Sequence, residues 1–183
     1  MEAKIRELVA SNPGQLSVAE YSLIYATLRE ASPCNFLSFS TGNDVKIWLH
    51  ANRGKNLFLE HDPRWVELTL EQSPTCEVHH ITYSTKVRHA RIHLADPTRL
   101  GIAQMPEVVR KTRWDVIFVD GPTGYAPDCP GRFQSIWEAV QMNPVDLFIH
   151  DVDRPVEAQC CAQFLKSYWF RKRLDRMYHY RLR

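Results

Sequence analysis

One recurring unit constrains this chain more than any other feature: a short apolar run that stops at polar residues and gives way to a helical pattern. Trp114-Asp115-Val116-Ile117-Phe118-Val119-Asp120 is the clearest case, ending against the turn-rich Gly121-Pro122-Thr123-Gly124-Tyr125. Seven residues rich in β-branched and aromatic types, bounded by turn formers, read as a buried strand. Asp146 to His150 repeats the unit and ends in Asp151-Val152-Asp153-Arg154. Asn35 to Phe39 ends in Ser40-Thr41-Gly42-Asn43-Asp44, and Asn56 to Glu60 leads into Asp62-Pro63. Glu77 to Tyr83 supplies a third strand in chain order, and Arg176 to Leu182 a closing one.

Helical signals fill the intervals. Ser17 can cap a helix with Glu20 reaching back, while Leu16 staples onto Tyr21. Tyr21, Ile24, Tyr25 and Leu28 then share one face. Val45 to Ala51 returns to helix, and Asp62 with Pro63 marks the entrance of the next, which carries Trp65, Val66, Leu68 and Leu70. Phe133, Ile136, Trp137 and Val140 fall at helical spacing, as do Val156, Cys160, Phe164 and Tyr168 behind Pro155. Residues 93–112 read as loop with a short helix near Pro106. The pattern predicts an α/β fold with a mostly parallel sheet and helices on both faces. It divides the chain, as one domain, into a helical cover over 1–30 and a core over 31–183.

Composition narrows the function by exclusion. The formal net charge of +2 argues against a general nucleic-acid binder. The sign is uneven, however: Lys166 to Arg183 holds seven basic residues and one acidic. Such a run is ordinarily a solvated face, and its sharper reading is a basic surface for an anionic polymer. Five cysteines without a CxxC pair disfavour a structural zinc site, and the adjacent Cys160 and Cys161 read as packing residues. No stretch approaches the ~18 apolar residues of a membrane span. Met1 to Ala10 is a charged amphipathic start, not a signal peptide.

In a parallel sheet, ligands sit outside the carboxyl ends of the strands. Those ends carry Ser40–Asp44, Glu60, Tyr83–Thr85, Asp120–Tyr125 and His150–Arg154. Gly42 would let backbone pass close to a cofactor. Glu60, about twenty residues further on, suits a pair of ribose hydroxyls, or simply the N-terminus of the helix at Asp62. Asp120 either fixes its own turn or faces a ligand. His150 and Asp151 could take a proton from a hydroxyl, or join Asp120 and Asp153 around a divalent cation. Asp153 also suits a helix cap before Pro155. Arg132 and Arg154 could pair with these acids or grip a substrate carboxylate. The tandem His79-His80 lies in a strand and faces both sides of it, which argues against a metal pair.

These motifs resemble a known family. Ser32-Pro33-Cys34-Asn35-Phe36-Leu37, Phe58-Leu59-Glu60-His61-Asp62-Pro63, Tyr83-Ser84-Thr85, Trp114-Asp115-Val116-Ile117, Gly124-Tyr125 with Pro130-Gly131-Arg132, and Phe148-Ile149-His150-Asp151-Val152-Asp153-Arg154 are similar to those of the glucuronoxylan 4-O-methyltransferases of plant cell walls. The resemblance runs from about Leu16 to the C-terminus. It implies a Rossmann-like class I fold that transfers the methyl group of S-adenosylmethionine to O4 of glucuronic acid on an acidic polysaccharide. It also implies that Ser40, Gly42 and Asp44 line the methionine end, that Glu60 holds the ribose, and that Asp120 stands at the cofactor, orienting or binding a metal. His150 or Asp151 is then the expected base, with Arg132, Arg154 and Tyr125 toward the acceptor.

The chain departs from the family pattern at one turn, where Ser40-Thr41-Gly42-Asn43-Asp44 replaces Gly-x-Gly-His-Asp. Ser40 adds a side chain where backbone should approach the cofactor. Two other functions therefore stand beside the first: a non-catalytic xylan-assembly factor, and a methyltransferase for arabinogalactan glucuronic acid or a small phenolic. Plant members carry a Golgi anchor, so the expected setting is the Golgi lumen for a trimmed member and a soluble, cytoplasmic one otherwise.

Overall fold

A computed structural model describes residues 1–183. Seven strands form one sheet in the order β3-β2-β1-β4-β5-β7-β6. At the centre of its parallel part is β1 (Phe36–Phe39), flanked by β2 (Asn56–Glu60) and β4 (Val116–Val119), with β5 (Asp146–Ile149) beyond β4. These four and β3 (Glu77–His80) are parallel. β7 (Met177–Arg181) joins β5 antiparallel, and β6 (Phe170–Leu174) completes a hairpin at the edge. The architecture is the mostly parallel α/β sheet that the strand–helix alternation predicts.

The central strands are buried on both faces, which is why they read as unbroken apolar runs rather than alternating ones. Period-two geometry divides their side chains. Phe36, Phe58, Phe118 and Phe148 point to one face, against α1 (Glu2–Ser11), α2 (Val18–Ala31) and α3 (Val45–Ala51). Leu37, Leu59, Ile117 and Leu147 point to the other, against α7 (Phe133–Gln141) and α8 (Pro155–Phe164). Trp48 of α3 meets Phe36 and Phe118 edge-on at 6.3 and 6.0 Å. Burying each of these rings stabilises the fold by about 2–3 kcal/mol.

Local signals act as their chemistry requires. Ser17 accepts from Glu20 N while Glu20 accepts from Ser17 N, a complete capping box, and Leu16 and Tyr21 are buried together. Asp62 caps α4 (Pro63–Gln72) through Arg64 N, with Pro63 in the first turn. The structure also departs from the sequence reading. β3 stops at His80 instead of Tyr83, because the chain turns inward and the Tyr83 hydroxyl meets Ser135 Oγ. A short helix, α5 (Ala90–Ala95), occupies part of the stretch expected as loop, and α6 (Glu107–Lys111) is the helix expected near Pro106. Tyr168 leaves the α8 stripe, since that helix ends at Phe164 and Tyr168 lies exposed in a 3₁₀ turn. β6 has no counterpart in the predicted elements.

Candidate active site

After β1 the chain crosses to β2 on one side, and it later reaches β4 on the other. That reversal opens a crevice at the carboxyl ends of the strands. The cleft found there is lined by Ser40, Thr41, Gly42, Asn43 and Asp44 after β1, by Glu60 and His61 after β2, and by Asp120, Gly121 and Thr123 after β4. Tyr21 of α2 and Trp65 of α4 form its walls. Glycine is required at 121, where a Cβ would stand 2.9 Å from Phe39 O and 3.0 Å from Ser40 Cβ.

Glu60 is the most fully engaged of the cleft acids. Its Oε1 accepts from the backbone N–H of His61 (2.7 Å) and Asp62 (2.8 Å) and lies 2.8 Å from His61 Nδ1. Its Oε2 accepts from Thr41 N (2.9 Å) and Thr41 Oγ1 (3.2 Å). Burial alone would raise its pKa, but the His61 contact and these N–H donors outweigh it and hold the carboxyl below its ordinary value. Glu60 is thus an anionic acceptor at the end of β2, and it also ties down the turn after β1.

Asp44 behaves oppositely. It stands at the entrance of α3 without a capping hydrogen bond, and burial, reinforced by the nearby charge of Asp120, raises its pKa to about 7. Asp120 is just as enclosed, yet its pKa is lowered: burial opposes the charge, while Arg132 and His150 more than compensate. Two carboxylates therefore share one cleft with affinities for a proton pushed apart.

Beneath Asp120 lies a buried ion network. His150 Nδ1 is 2.8 Å from Asp120 Oδ1, and Arg132 Nη2 is 3.0 Å from the same oxygen and 2.7 Å from Asp151 Oδ2. Arg132 also donates to the carbonyls of Pro122, His150 and Asp120. Arg154 and Arg176 each reach Asp151 at 2.9 Å. His150 Nε2 is buried without a hydrogen bond, 3.7 Å from Glu20 Oε2. Asp151 adopts φ +59, a left-handed conformation that aspartate tolerates better than most residues.

Several expectations about individual residues need correction. Arg132 has its donors committed inside the protein and cannot grip a substrate carboxylate. Asp151 is buried among three arginines, so it is an ion-pair hub rather than a cleft base. His150 is likewise buried beneath Asp120 and does not line the cleft. Asp153 is exposed and makes no side-chain cap, since Arg154 takes the N-cap position of α8. Asp120, His150 and Asp151 do offer ligand atoms within 4.8 Å of one another. The Arg132 guanidinium already bridges the two carboxylates, so the set does not fit a divalent cation while that arginine stays. Tyr125 is 76% exposed on the loop after β4, and the Arg154 side chain is partly exposed.

Ser40 has φ +153, a backbone conformation that a side chain disfavours and glycine adopts readily, which gives the glycine expected at this turn a physical basis. Sequence reasoning missed Tyr21, His61 and Trp65 as cleft walls, and Arg176 as a partner of Asp151. Only His61 was signalled, by its adjacency to Glu60. Glu157 was also missed: it is buried without a hydrogen-bond partner, burial raises its pKa, and its Oε1 stands 2.7 Å from where a Cβ on Gly124 would be.

Comparison with known proteins gives a consistent picture. The family model described as IRX15/IRX15L/GXM matches residues 19–97 and 92–180. Glucuronoxylan 4-O-methyltransferase 2 of Arabidopsis thaliana is 31% identical over 204 residues, covering 99% of this chain and 70% of that protein. Arabinogalactan O-methyltransferase 2 of the same plant is 32% identical, covering 92% and 67%. Protein IRX15-LIKE, also from Arabidopsis thaliana, is 32% identical, covering 82% and 56%. Among solved structures, a Thermoplasma acidophilum protein superposes with TM-score 0.55 at 9% identity, covering 99% of this chain and 97% of that one. A Pyrococcus horikoshii protein named as an RNA methyltransferase gives 0.54 at 11%, covering 92% and 86%. At such identities these two show the fold alone.

Proposed function

The chain belongs to the IRX15/IRX15L/GXM family, and we propose that it is an S-adenosylmethionine-dependent O-methyltransferase acting on O4 of glucuronic acid in xylan or a related cell-wall polysaccharide. The observation that carries this reading is the convergence of Gly42, Glu60 and Asp120 on one cleft at the carboxyl ends of three neighbouring parallel strands.

The donor set suits the cofactor. Glu60, anionic and fixed by backbone N–H groups, would take the ribose hydroxyls, in competition with the Thr41 hydrogen bonds that now cover its Oε2. Gly42 and Asp44 would border the methionine end. When bound, the cofactor supplies the activated methyl group; the protein supplies alignment and a proton acceptor.

An alcohol is a weak nucleophile at neutral pH, so a base must take its proton as the new C–O bond forms. Asp44 is the carboxylate best matched to that task, because its pKa is near 7 and its side chain faces the cleft. Asp120, held charged by Arg132 and His150, would orient the acceptor hydroxyl and stabilise developing positive charge. His150 acts from behind as a positioning residue. Arg154 and Tyr125 remain the acceptor-side candidates. No step requires a divalent cation at the Arg132-filled cluster.

Relatives named for glucuronoxylan and for arabinogalactan are about equally similar, so the glucuronic acid itself is the better supported part of the acceptor reading. The test is incubation with methyl-labelled S-adenosylmethionine and a panel of glucuronate-bearing oligosaccharides, with the product read by NMR. Label on O4 supports the proposal; label on no glucuronate acceptor contradicts it.

A further inference from the structure

We propose that the outer edge of the sheet, strand β6 with the turn before it, is a docking strip for the acidic polysaccharide whose side group enters the cleft. The inference deepens the proposed function and rests on it.

β6 pairs only with β7, so one side of its backbone faces solvent. Around it stand Lys166, Arg171, Lys172 and Arg173, and neither Arg171 nor Lys172 has an ion-pair partner. Cations on an edge strand are a common device against edge-to-edge pairing. That device accounts for Arg171 to Arg173 but not for the aromatic rings among them. Tyr168 is 67% exposed and Phe170 40%, the kind of surface that edge protection avoids. Lys166 Nζ sits 5.6 Å from the centroid of Tyr168 and 5.1 Å from that of Trp169, and the Arg173 guanidinium lies 5.8 Å from Tyr178. Phe170, Arg173 and Tyr178 border a shallow groove.

Aromatic faces beside unpaired cations suit a chain of sugar rings carrying uronates: the rings stack on C–H faces, and the cations take carboxylates. One end of the strip, the turn after Leu174, contacts the rim of the cleft. In the β6–β7 turn, Arg176 donates to Asp151 at 2.9 Å and to the carbonyl of Gln15 at 3.0 Å, and Gln15 lines the cleft. Five extended residues give the strip a length of about 17 Å, enough to contact several sugars beyond the one being modified.

The test compares the wild type with R171E/K172E and with Tyr168→Ser, all checked for folding by circular dichroism. Retardation in native gels containing glucuronoxylan is measured without cofactor, beside unsubstituted xylan and single-stranded RNA. Turnover is measured on the polymer and on a short glucuronate-bearing oligosaccharide. The wild type is expected to be retarded most by glucuronoxylan, and R171E/K172E to lose about tenfold in affinity at low salt. Turnover on the polymer should fall in parallel while turnover on the oligosaccharide holds. Tyr168→Ser should weaken polymer binding with less dependence on salt, which keeps the test decisive if the charge reversal misfolds. Unchanged retardation in both variants, equal losses on polymer and oligosaccharide, or RNA bound as tightly as the polymer would overturn the strip. Retardation as expected, without turnover on any glucuronate acceptor, would count against the proposed enzyme activity and leave the strip standing.

Discussion

The Asp120 carboxylate and the His150 imidazole, each one residue past the end of the adjacent parallel strands β4 and β5, meet at 2.8 Å, with the histidine buried behind the acid. The contact runs from the floor of the cleft into the protein, where Arg132 and Asp151 continue it. Much of the cleft's electrostatic character follows from this arrangement: Asp120 is held charged, and its charge adds to the burial that raises the proton affinity of Asp44.

Arg132 is the first residue at which the account can be checked. Replacing it with methionine keeps most of the volume but leaves Asp120 and Asp151 without their shared cation. Removing one member of a buried ion pair costs about 3–5 kcal/mol. Chemical unfolding of Arg132→Met is expected to show a loss of that size. A loss no larger than that of an exposed substitution would mean that the network is not held by this arginine.

Asp44 carries the expected pH dependence. Its pKa is 3.8 in the reference state and about 7 in the folded protein. Between those values the native state keeps a proton that the unfolded chain gives up, so this group's contribution to stability falls as pH rises and levels off above about 7. Asp44→Asn is therefore expected to flatten the stability profile and to be relatively more stable at alkaline pH. In the wild type, turnover should rise through the same window, because the base must be deprotonated. Asp44→Asn should lose about 100-fold or more in kcat and that limb of the profile. A variant with the wild-type pH profile would remove Asp44 from the chemistry.

Ser40 offers a gain-of-function test. With φ at +153, glycine is the easier residue there, and Ser40→Gly is expected to stabilise the fold by about 1 kcal/mol in thermal unfolding. It should also bind S-adenosylmethionine at least as tightly as the wild type. Destabilisation would show that the hydroxyl contributes something the backbone geometry does not reveal.

The sequence was a good guide wherever short-range patterns set the structure. Val45–Ala51 and Asn56–Glu60 have the bounds that periodicity predicts, because an apolar run and its flanking turn residues settle such elements locally. β6 was hidden because Arg171-Lys172-Arg173 shows no alternation, and an exposed edge strand has little need of it. The cleft was legible at Gly42, Glu60 and Asp120, each at a strand exit. Which charged residues turn inward was not legible. Arg132 and Asp151 are nineteen positions apart and meet only when the loop after β4 folds beside the end of β5, and Arg176 arrives from a hairpin at the far side of the sheet. Burial of an arginine is decided by partners that no local window contains.

Everything in the functional account depends on whether this cleft takes the methyl donor. Calorimetric titration with S-adenosylmethionine, on the wild type and on Glu60→Gln, tests it most directly. The account predicts one saturable site in the wild type and an affinity weaker by about tenfold or more in Glu60→Gln, through the lost charge-assisted hydrogen bonds. No heat from the wild type at millimolar donor, or equal affinity in the two proteins, would contradict it.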